Sequence, residues 1–253
     1  SFEQPVRGVV QFHDVDFRYP DAEADMLHDV NFTAEPGKVT AIIGSTGSGK
    51  STLINLLPRF FDVSKGKITI DDVDIRNVPQ ALLRDQIGYA PQRGLLFSGT
   101  VATNLMVAKP DATEEEMRDA VTIAQAADFV LNSEEGLNMP IAQGGDNVSG
   151  GQRQRLSIAR AIVKPRPIYV FDDSFSALDF KTDSSLRQAL RPRIAGSTVL
   201  IITQRISTAK NSDQIIVMDN GRVVGKGNHR DLMESCTTYQ EIASSQLTAE
   251  ELA

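Results

Sequence analysis

A run of nine residues in the first quarter of the chain has the composition of a loop that binds phosphate groups. It consists of Gly44, Ser45, Thr46, Gly47, Ser48, Gly49, Lys50, Ser51 and Thr52. Glycines permit a tight turn that brings backbone N–H groups close to an anion. In such a loop the Lys50 ammonium reaches the β- and γ-phosphates, and the Ser51 hydroxyl is a ligand for Mg²⁺. The pattern therefore predicts binding of a nucleotide phosphate chain together with magnesium.

The residues on either side of this loop have the periodicity of the elements that it needs. Residues 39–43 form an apolar run typical of a buried strand, and residues 53–57 continue as a helical pattern. A strand, a glycine loop and a helix follow one another in phosphate-binding loops, and the helix N-terminus adds partial positive charge. This order favours a phosphate loop over the alternative, a plain glycine turn before a helix.

A second candidate region is the apolar run Ile168–Phe171, which ends in two carboxylates, Asp172 and Asp173. A carboxylate at a strand end can hold Mg²⁺ through water while the loop holds the phosphates. The next carboxylate can orient and deprotonate an attacking water. Downstream of a phosphate loop, this pair indicates the second half of a nucleotide-hydrolysing site.

A third candidate region, Val148–Gln152, opens a predicted helix with Ser149, Gly150, Gly151 and Gln152. One interpretation is a serine N-cap followed by flexible glycines. The other is a second anion site, because a hydroxyl, glycine N–H groups and a helix N-terminus all favour phosphate. Two phosphate sites for one nucleotide make sense if the second serves the nucleotide of a neighbouring chain.

Strands of two kinds must position these residues. Residues 9–34 alternate apolar and polar side chains, which predicts antiparallel strands with one buried face. Residues 168–171 and 198–203 are apolar on both faces, as in buried parallel strands. Asn220-Gly221 lies between two apolar runs and predicts a hairpin.

Helical spacing dominates the middle of the chain, over residues 93–164. Thr113 and Glu116 predict a capping box there, and a further helix is expected from about Ser149 to Val163. The helical block is predicted to be an insertion between strands of one sheet. The C-terminal segment also has helical spacing, and its acidic end is expected to fray.

Composition limits the possible functions. The 253 residues carry a net charge of −7 without a basic block, which argues against nucleic acid as a main partner. The single cysteine, Cys236, excludes a disulfide within the chain and fits a reducing compartment. No apolar run reaches the length that spans a bilayer, and no signal peptide is evident. The chain begins without an initiator methionine, which fits a segment of a longer protein.

Taken together, these motifs resemble those of the nucleotide-binding domain of ABC transporters, and the resemblance covers nearly the whole chain. Residues 44–52 resemble the Walker A motif, and Gln92 resembles the Q-loop glutamine. Val148–Gln152 resembles the family signature, the most specific of these features. Ile168–Asp172 resembles Walker B, and residues 176–179, ending in Asp179, resemble the D-loop.

Two further stretches extend the resemblance. Tyr19 stands where the family stacks an aromatic ring on adenine, although a plain strand tyrosine is the default interpretation without the family. Residues 96–101, with Asn104-Leu105, resemble the exporter branch. In that branch a membrane domain precedes this domain on the same chain, so a transmembrane domain N-terminal to residue 1 is expected.

The resemblance implies an α/β fold: a P-loop NTPase core with a mostly parallel central sheet, an antiparallel β subdomain and a helical subdomain. A single domain is expected over residues 1–253. Residues 1–92 and 163–253 would form the nucleotide-binding core with its antiparallel part, and residues 93–162 the helical subdomain with the signature.

The resemblance also implies an ATPase at the cytoplasmic face of a cell membrane, with ATP and Mg²⁺ as cofactors. Ser51, Gln92 and Asp172 are the expected magnesium ligands. Two such domains would pair head to tail, each ATP lying between one chain's phosphate loop and the other's signature. Gln92 would sense Mg²⁺ and the γ-phosphate and pass movement to the transmembrane domain.

The chain departs from the family pattern at two catalytic positions. Asp173 stands where Glu is usual, and Gln204 stands where a switch histidine is usual; Gln143, before the signature, also replaces a frequent Glu. The aspartate carboxylate falls about 1–1.5 Å short of a glutamate carboxylate on the same backbone. A misplacement of that order costs about a hundredfold in rate, and general-base help is worth about 10²–10⁴-fold.

Gln204 hydrogen-bonds phosphate but stays neutral, so it cannot act as an imidazolium. We therefore expect Mg·ATP to bind well and to be hydrolysed slowly at this site. The intact signature would complete a competent site on a different partner chain, which predicts the degenerate-site half of a heterodimeric exporter. The competing hypothesis is that Asp173 serves as base after a small backbone shift.

Three other functions are weighed against the exporter. A soluble ABC-type ATPase of DNA repair or translation usually carries coiled-coil inserts or a second such domain, and this chain has neither. A regulatory nucleotide-binding module without useful turnover is kept open by Asp173 and Gln204. A generic P-loop kinase leaves the signature unexplained.

The three histidines, His13, His28 and His229, have no metal-ligand spacing.

Overall fold

A computed structural model describes residues 1–247, and the acidic end that was expected to fray lies outside them. Over these residues the chain is α/β, with a mixed sheet, a separate antiparallel sheet and a set of helices, so the predicted fold class is confirmed.

The strands alternate with helices along most of the chain. The strands are β1 (Val10–Phe17), β2 (Leu27–Ala34), β3 (Val39–Gly44), β4 (Lys65–Ile70), β5 (Val73–Asp74), β6 (Ile87–Ala90), β7 (Gly99–Thr100), β8 (Pro140–Ile141), β9 (Ile168–Asp172), β10 (Thr198–Thr203), β11 (Gln214–Asp219) and β12 (Arg222–Gly227). The helices are α1 (Lys50–Asn55), α2 (Gln80–Asp85), α3 (Val101–Ala108), α4 (Glu114–Ile123), α5 (Ala127–Val130), α6 (Gly150–Ile162), α7 (Phe180–Ile194), α8 (Ile206–Ala209), α9 (His229–Ser235) and α10 (Thr237–Gln246).

Two compact units divide the chain. Among the described residues, the first contains residues 1–87 and 196–247, and the second contains residues 88–195. The sequence-based boundaries at 92/93 and 162/163 concern the nucleotide-binding core and the helical subdomain, and they stay a prediction. Strand β9, which leads to Asp172 and Asp173, falls within the second unit together with helices α3 to α7.

The first unit carries four neighbouring strands in the order β12-β11-β3-β10, of which β11, β3 and β10 are parallel. Strand β3 lies between β10 and β11 and is parallel to both, with Ile43 opposite Thr203 and Gly44 opposite Met218. All but the first residue of β3 are buried. Since parallel strands end at the same edge of a sheet, the loops after β3 and β10 meet at one edge.

The first unit also contains antiparallel strand pairs, in the sheet that includes β1, β2 and β4 and in the β11–β12 hairpin. β1 pairs with β2 and β4, and Phe12 stacks on Phe32 with ring centroids 4.6 Å apart. β11 and β12 are joined at Asn220 and Gly221, which both have positive φ, 48° and 76°. The predicted hairpin is therefore confirmed, with the left-handed turn residues that two-residue hairpins require.

The C-terminal helices pack on this sheet around an apolar cluster. Its most buried aromatic member is Tyr239 of α10, with no exposed surface. The cluster consists of Ala41, Ile43, Ile206, Ala209, Ile215, Val217, Leu232, Cys236, Tyr239 and Ala243. It thus joins β3, which leads into the phosphate loop, to α8 and to α10.

The second unit is built around α6, which contacts α3 and α4. β9 is fully buried and is hydrogen-bonded to β6. The capping box predicted at the start of α4 is present, because the Thr113 hydroxyl accepts from Glu116 N and Glu116 accepts from Thr113 N. Within residues 1–247, no helix is long and apolar enough to cross a membrane.

Candidate functional site

The glycine loop after β3 is shaped by residues that tolerate no side chain. Gly47 and Gly49 have φ of 80° and 103°, a left-handed conformation that L-residues with a Cβ avoid. Gly44 is buried, and a Cβ on it would lie 2.4 Å from Ser48 Oγ and 2.6 Å from the Met218 carbonyl oxygen. The sequence Gly-x-x-Gly-x-Gly is therefore required by the backbone itself.

The interior of this loop presents polar groups suited to an anion. Lys50 is only 7% exposed, and its Nζ donates to the Ser45 carbonyl oxygen at 3.3 Å. Ser48 is 2% exposed, and its Oγ has no hydrogen-bond partner within residues 1–247. A buried hydroxyl without a partner is costly, and a phosphate oxygen would satisfy it. The loop thus fits a phosphate chain in both charge and hydrogen-bonding capacity.

A brace from the distant hairpin holds the loop in this conformation. Gly221 N donates to the Ser48 carbonyl oxygen at 2.9 Å, and His28 N donates to the Gly221 carbonyl oxygen at 2.9 Å. A Cβ on Gly221 would lie 2.1 Å from the Met26 carbonyl oxygen, so only glycine fits there. The glycine loop, β2 and the β11–β12 turn are therefore tied together.

Tyr19, the candidate adenine platform, lies beside the glycine loop. Its hydroxyl hydrogen-bonds with Thr52 Oγ1 at 2.7 Å. Phe17 and Phe61 meet its ring edge to face, with centroids 4.8 and 5.3 Å away. Edge-to-face neighbours fix the plane of an aromatic ring. The structure thus brings Tyr19 to the helix that begins at Lys50.

Gln204 follows β10 directly and is exposed. Because Thr203 pairs with Ile43, Gln204 stands at the same sheet edge as Gly44. The first unit therefore brings together three of the predicted groups: the glycine loop, Tyr19 and Gln204. Gln246, which sequence reasoning missed, donates from Nε2 to the Gln204 carbonyl oxygen at 2.8 Å.

The second unit brings together the predicted carboxylates and the Q-loop glutamine. Asp172 is 6% exposed at the end of β9, and Asp173 follows it with a positive φ of 48°. Gln92 Nε2 donates to Asp173 Oδ2 at 3.5 Å, a long hydrogen bond. Ser176 Oγ donates to the Asp173 carbonyl oxygen at 2.9 Å and fixes the turn. Gln92 and Asp173 are therefore close enough to act on the same group.

Two residues that sequence reasoning missed support this group. Burial, and then the Asp172 carboxylate, raise the pKa of Tyr89 well above its usual range, so this phenol stays protonated and can donate to Asp172. Gln154, which is buried, donates from Nε2 to the Gln92 carbonyl oxygen. Tyr89 lies on β6, three residues before Gln92 in the chain, but no sequence signal points to Gln154.

The signature residues form the capped start of α6. Ser149 Oγ accepts from Gln152 N at 3.1 Å, and Gln152 Oε1 accepts from Ser149 N at 3.0 Å. The serine cap is thus present, and no group within residues 1–247 accepts the Ser149 hydroxyl proton, which is available to a ligand. A Cβ on Gly150 would meet nothing within 4 Å, whereas one on Gly151 would lie 3.3 Å from the Ala177 carbonyl oxygen.

The D-loop is fixed next to this helix start. Asp179 Oδ1 accepts from Thr182 N at 2.7 Å and caps α7. The hydrogen bond from Thr182 N lowers the pKa of Asp179 below its usual value. Arg155 Nε donates to the Gly151 carbonyl oxygen at 3.1 Å, and burial lowers the pKa of this guanidinium. The signature and the D-loop are therefore one preformed surface, with Gly150 exposed on it.

The expected magnesium ligands offer a hydroxyl, an amide oxygen and a carboxylate, from Ser51, Gln92 and Asp172. Oxygen donors of this kind suit Mg²⁺ when phosphate oxygens complete the coordination. Ser51 belongs to the first unit, and Gln92 and Asp172 belong to the second. Gln143, the third departure from the family pattern, is exposed in a 3₁₀ turn at Gln143–Gly145 before the signature.

Comparisons with known proteins agree with these motifs. The family model described as ABC transporter matches residues 27–176. An uncharacterized ABC transporter ATP-binding protein of Mycobacterium tuberculosis is 50% identical over 244 residues, which are 95% of this chain and 42% of that protein. A Staphylococcus aureus protein, provisionally named a multidrug export ATP-binding/permease protein, is 41% identical over 246 residues, 96% of this chain and 43% of that one.

The fold comparison points in the same direction. The structure of a bacterial Atm1-family ABC exporter with ATP bound superposes with a TM-score of 0.91 at 34% identity, covering 98% of this chain and 44% of that one. This chain therefore spans less than half the length of the relatives that it matches.

Proposed function

This chain belongs to the ABC transporter family, as the nucleotide-binding domain of an exporter-type system, and from that membership we propose how its two phosphate-binding regions divide their work. ATP-binding domains of this family are ATPases. In our proposal the glycine loop binds Mg·ATP and hydrolyses it slowly. The signature completes the ATP site of a second nucleotide-binding domain on a different chain.

The observation that carries the proposal is the preformed glycine loop with its unsatisfied Ser48 hydroxyl, next to Tyr19 and Gln204. Backbone N–H groups and Lys50 would bind the phosphates, and Tyr19 would stack on the adenine ring. Ser51, Gln92 and Asp172 would hold Mg²⁺, which supplies charge neutralisation on the phosphate oxygens. None of these residues departs from the family pattern.

Slow hydrolysis follows from the two substituted positions. Asp173 would take the proton from the attacking water, with Gln92 hydrogen-bonded to the same carboxylate. Its carboxylate is one methylene shorter than the usual glutamate. Gln204 would donate a hydrogen bond to the γ-phosphate without carrying charge. In this proposal both side chains would supply less stabilisation to the transition state than glutamate and histidine do.

The signature supports the other half of the proposal. The exposed Gly150 and the available Ser149 proton suit a phosphate that approaches from outside the chain. The partner's ATP would lie there, between this signature and the partner's own phosphate loop. The transmembrane domain would precede residue 1 on the full-length chain, so the domain would work at the cytoplasmic face of a membrane and couple ATP to export.

The test is to restore the two catalytic positions in the full-length protein. Asp173→Glu combined with Gln204→His should raise ATP turnover at this chain's loop about tenfold or more, since general-base help alone is worth about 10²–10⁴-fold. Turnover is measured with a partner chain whose phosphate loop is inactivated, and Lys50→Ala in this chain gives the background. If the wild-type chain already turns over as fast as the double variant, the degenerate-site proposal is wrong.

A regulatory module without useful turnover is the second candidate, favoured by the same two positions, Asp173 and Gln204. The readout that separates the two functions is the partner's hydrolysis. Pairing with this chain should accelerate ATP hydrolysis at the partner's loop if the signature is catalytic. Dimerisation with ATP but without that acceleration would favour the regulatory module. A soluble ABC-type ATPase would be supported if the full-length gene encoded no membrane helices.

A further inference from the structure

The segment that follows β10 is held by a side chain from the other end of the first unit. Gln246 is the last residue of α10, and it uses both ends of its carboxamide. Its Nε2 donates to the Gln204 carbonyl oxygen at 2.8 Å, and its Oε1 accepts from Ile206 N at 2.9 Å. The amide therefore pairs with the backbone on both sides of Arg205, as a neighbouring strand would.

The bonds fix the backbone from which the Gln204 side chain projects. Arg205 N also donates to Thr203 Oγ1 at 3.0 Å, so the turn after β10 is anchored at successive residues. Gln204 itself is exposed, and its side chain is directed by this backbone. A small rotation of the Gln204 peptide would displace its amide group relative to the glycine loop at the same sheet edge.

The helix that carries Gln246 is not a loose appendage. Tyr239 and Ala243 of α10 are fully buried in the same apolar cluster as Ile43 and Ile206. Ile43 immediately precedes Gly44, and Ile206 donates its N–H group to Gln246 Oε1. The position of α10 is thus set by the strand that enters the phosphate loop and by the helix after Gln204.

We propose that Gln246 is a positioning residue for ATP hydrolysis, which sets the backbone of the switch residue Gln204 from the C-terminal helix. The inference rests on the proposed function, since it assigns Gln204 a role at the γ-phosphate. Only an unbranched carboxamide of this length offers a donor and an acceptor at both distances. Glutamate lacks the donor when ionised, and asparagine is one methylene shorter.

The experiment compares Gln246→Ala and Gln246→Glu with wild type in the full-length protein, with the partner's phosphate loop inactivated. We expect kcat for ATP to fall about three- to tenfold in both variants, because misplacement by a fraction of an ångström is costly in rate. The ATP affinity, measured by calorimetry, should change less than twofold. Gln240→Ala is the matched control, because Gln240 Nε2 donates to the Met233 carbonyl oxygen at 2.7 Å on the same helix.

A double-variant cycle separates positioning from general weakening of the fold. In a Gln204→Ala background, Gln246→Ala should have no further effect on kcat, because the side chain that it positions is gone. An unchanged kcat, an equal loss in the Gln204→Ala background, or an equal loss in Gln240→Ala would overturn the inference. The proposed function fails on a separate measurement, the turnover of the Asp173→Glu, Gln204→His variant.

Discussion

The two regions proposed to bind phosphate are built in opposite ways. The glycine loop at Gly44–Thr52 is enclosed on one side by its own chain: Lys50 and Ser48 are almost fully buried, and a Cβ on Gly44 would lie too close to a backbone carbonyl oxygen. The signature at Val148–Gln152 is the reverse. Its serine Oγ accepts from Gln152 N in a capping box, and its first glycine faces open space.

The contrast shows where each region obtains its shape. The loop takes its conformation from neighbouring strands and the β11–β12 turn. The contacts that fold the loop are therefore also the contacts that shape the proposed nucleotide site. The signature is stable as a helix start without any ligand, and its glycine is not required by the chain's own packing. A glycine that the fold does not need indicates a surface shaped for something outside the chain.

Gly44→Ala is expected to have the largest effect, because it should lower both the stability of the fold and the affinity for ATP. Forcing a methyl against Ser48 Oγ and the Met218 carbonyl oxygen should cost about 1–3 kcal/mol of unfolding free energy. It should also displace the loop enough to abolish measurable ATP binding. Denaturant unfolding and calorimetric titration check the two effects. A variant of wild-type stability that binds ATP normally would contradict the enclosed-loop description.

Gly150→Ala should leave the stability of this chain unchanged and should impair only the proposed dimer with a second nucleotide-binding domain. Alanine is a better helix former than glycine, and the added methyl meets nothing in this chain, so the melting temperature should stay the same or rise slightly. ATP affinity of this chain alone should not change. Hydrolysis at the partner's loop should fall, by about a hundredfold if the phosphate is displaced by 1 Å.

The control for that comparison is a second exposed position in the same unit, such as Asp119→Ala on α4. It should change neither stability nor the partner's hydrolysis. If Gly150→Ala lowers the melting temperature as Gly44→Ala does, the two glycines do the same work and the contrast between the regions is lost.

The smallest effect is expected at Asp179, which caps α7 beside the signature. The Thr182 N–H group lowers its folded pKa, so its contribution to stability is present above the unfolded value, about 3.9, and is lost as pH falls through the folded pKa. Asp179→Ala should therefore melt a few degrees below wild type at pH 7. The difference should shrink towards pH 3. Thermal unfolding followed by circular dichroism at both pH values measures it, and a difference that grows on acidification would be contrary to the assigned cap.

Local patterns were enough to predict much of the fold and of the site. The glycines of the loop, the Thr113–Glu116 capping box and the Asn220-Gly221 hairpin each involve residues within five positions of one another. Their conformations follow from backbone sterics and caps that the sequence displays directly. The expected catalytic and signature roles came from the family resemblance and remain predictions.

Contacts between distant segments could not be predicted in this way. Gln92 and Asp173 are 81 positions apart, and Gln246 and Gln204 are 42 apart. A glutamine at the end of a surface helix gives no periodic or compositional signal, because its partners are backbone groups that every residue carries. The same reason hides Gln154, whose acceptor is the Gln92 carbonyl oxygen. Such residues are recognised only once the fold places the two backbones.

The β11–β12 turn limits the substitutions that this domain can accept over evolutionary time. Gly221 braces Ser48 and allows no Cβ, so it should be under selection as strict as the glycines of the loop, although it lies more than 170 positions away in the chain. Drift at this hairpin tip would erode nucleotide binding in a lineage whose phosphate-loop sequence still looked intact. An intact phosphate-loop motif is therefore not sufficient evidence that a descendant protein still binds ATP.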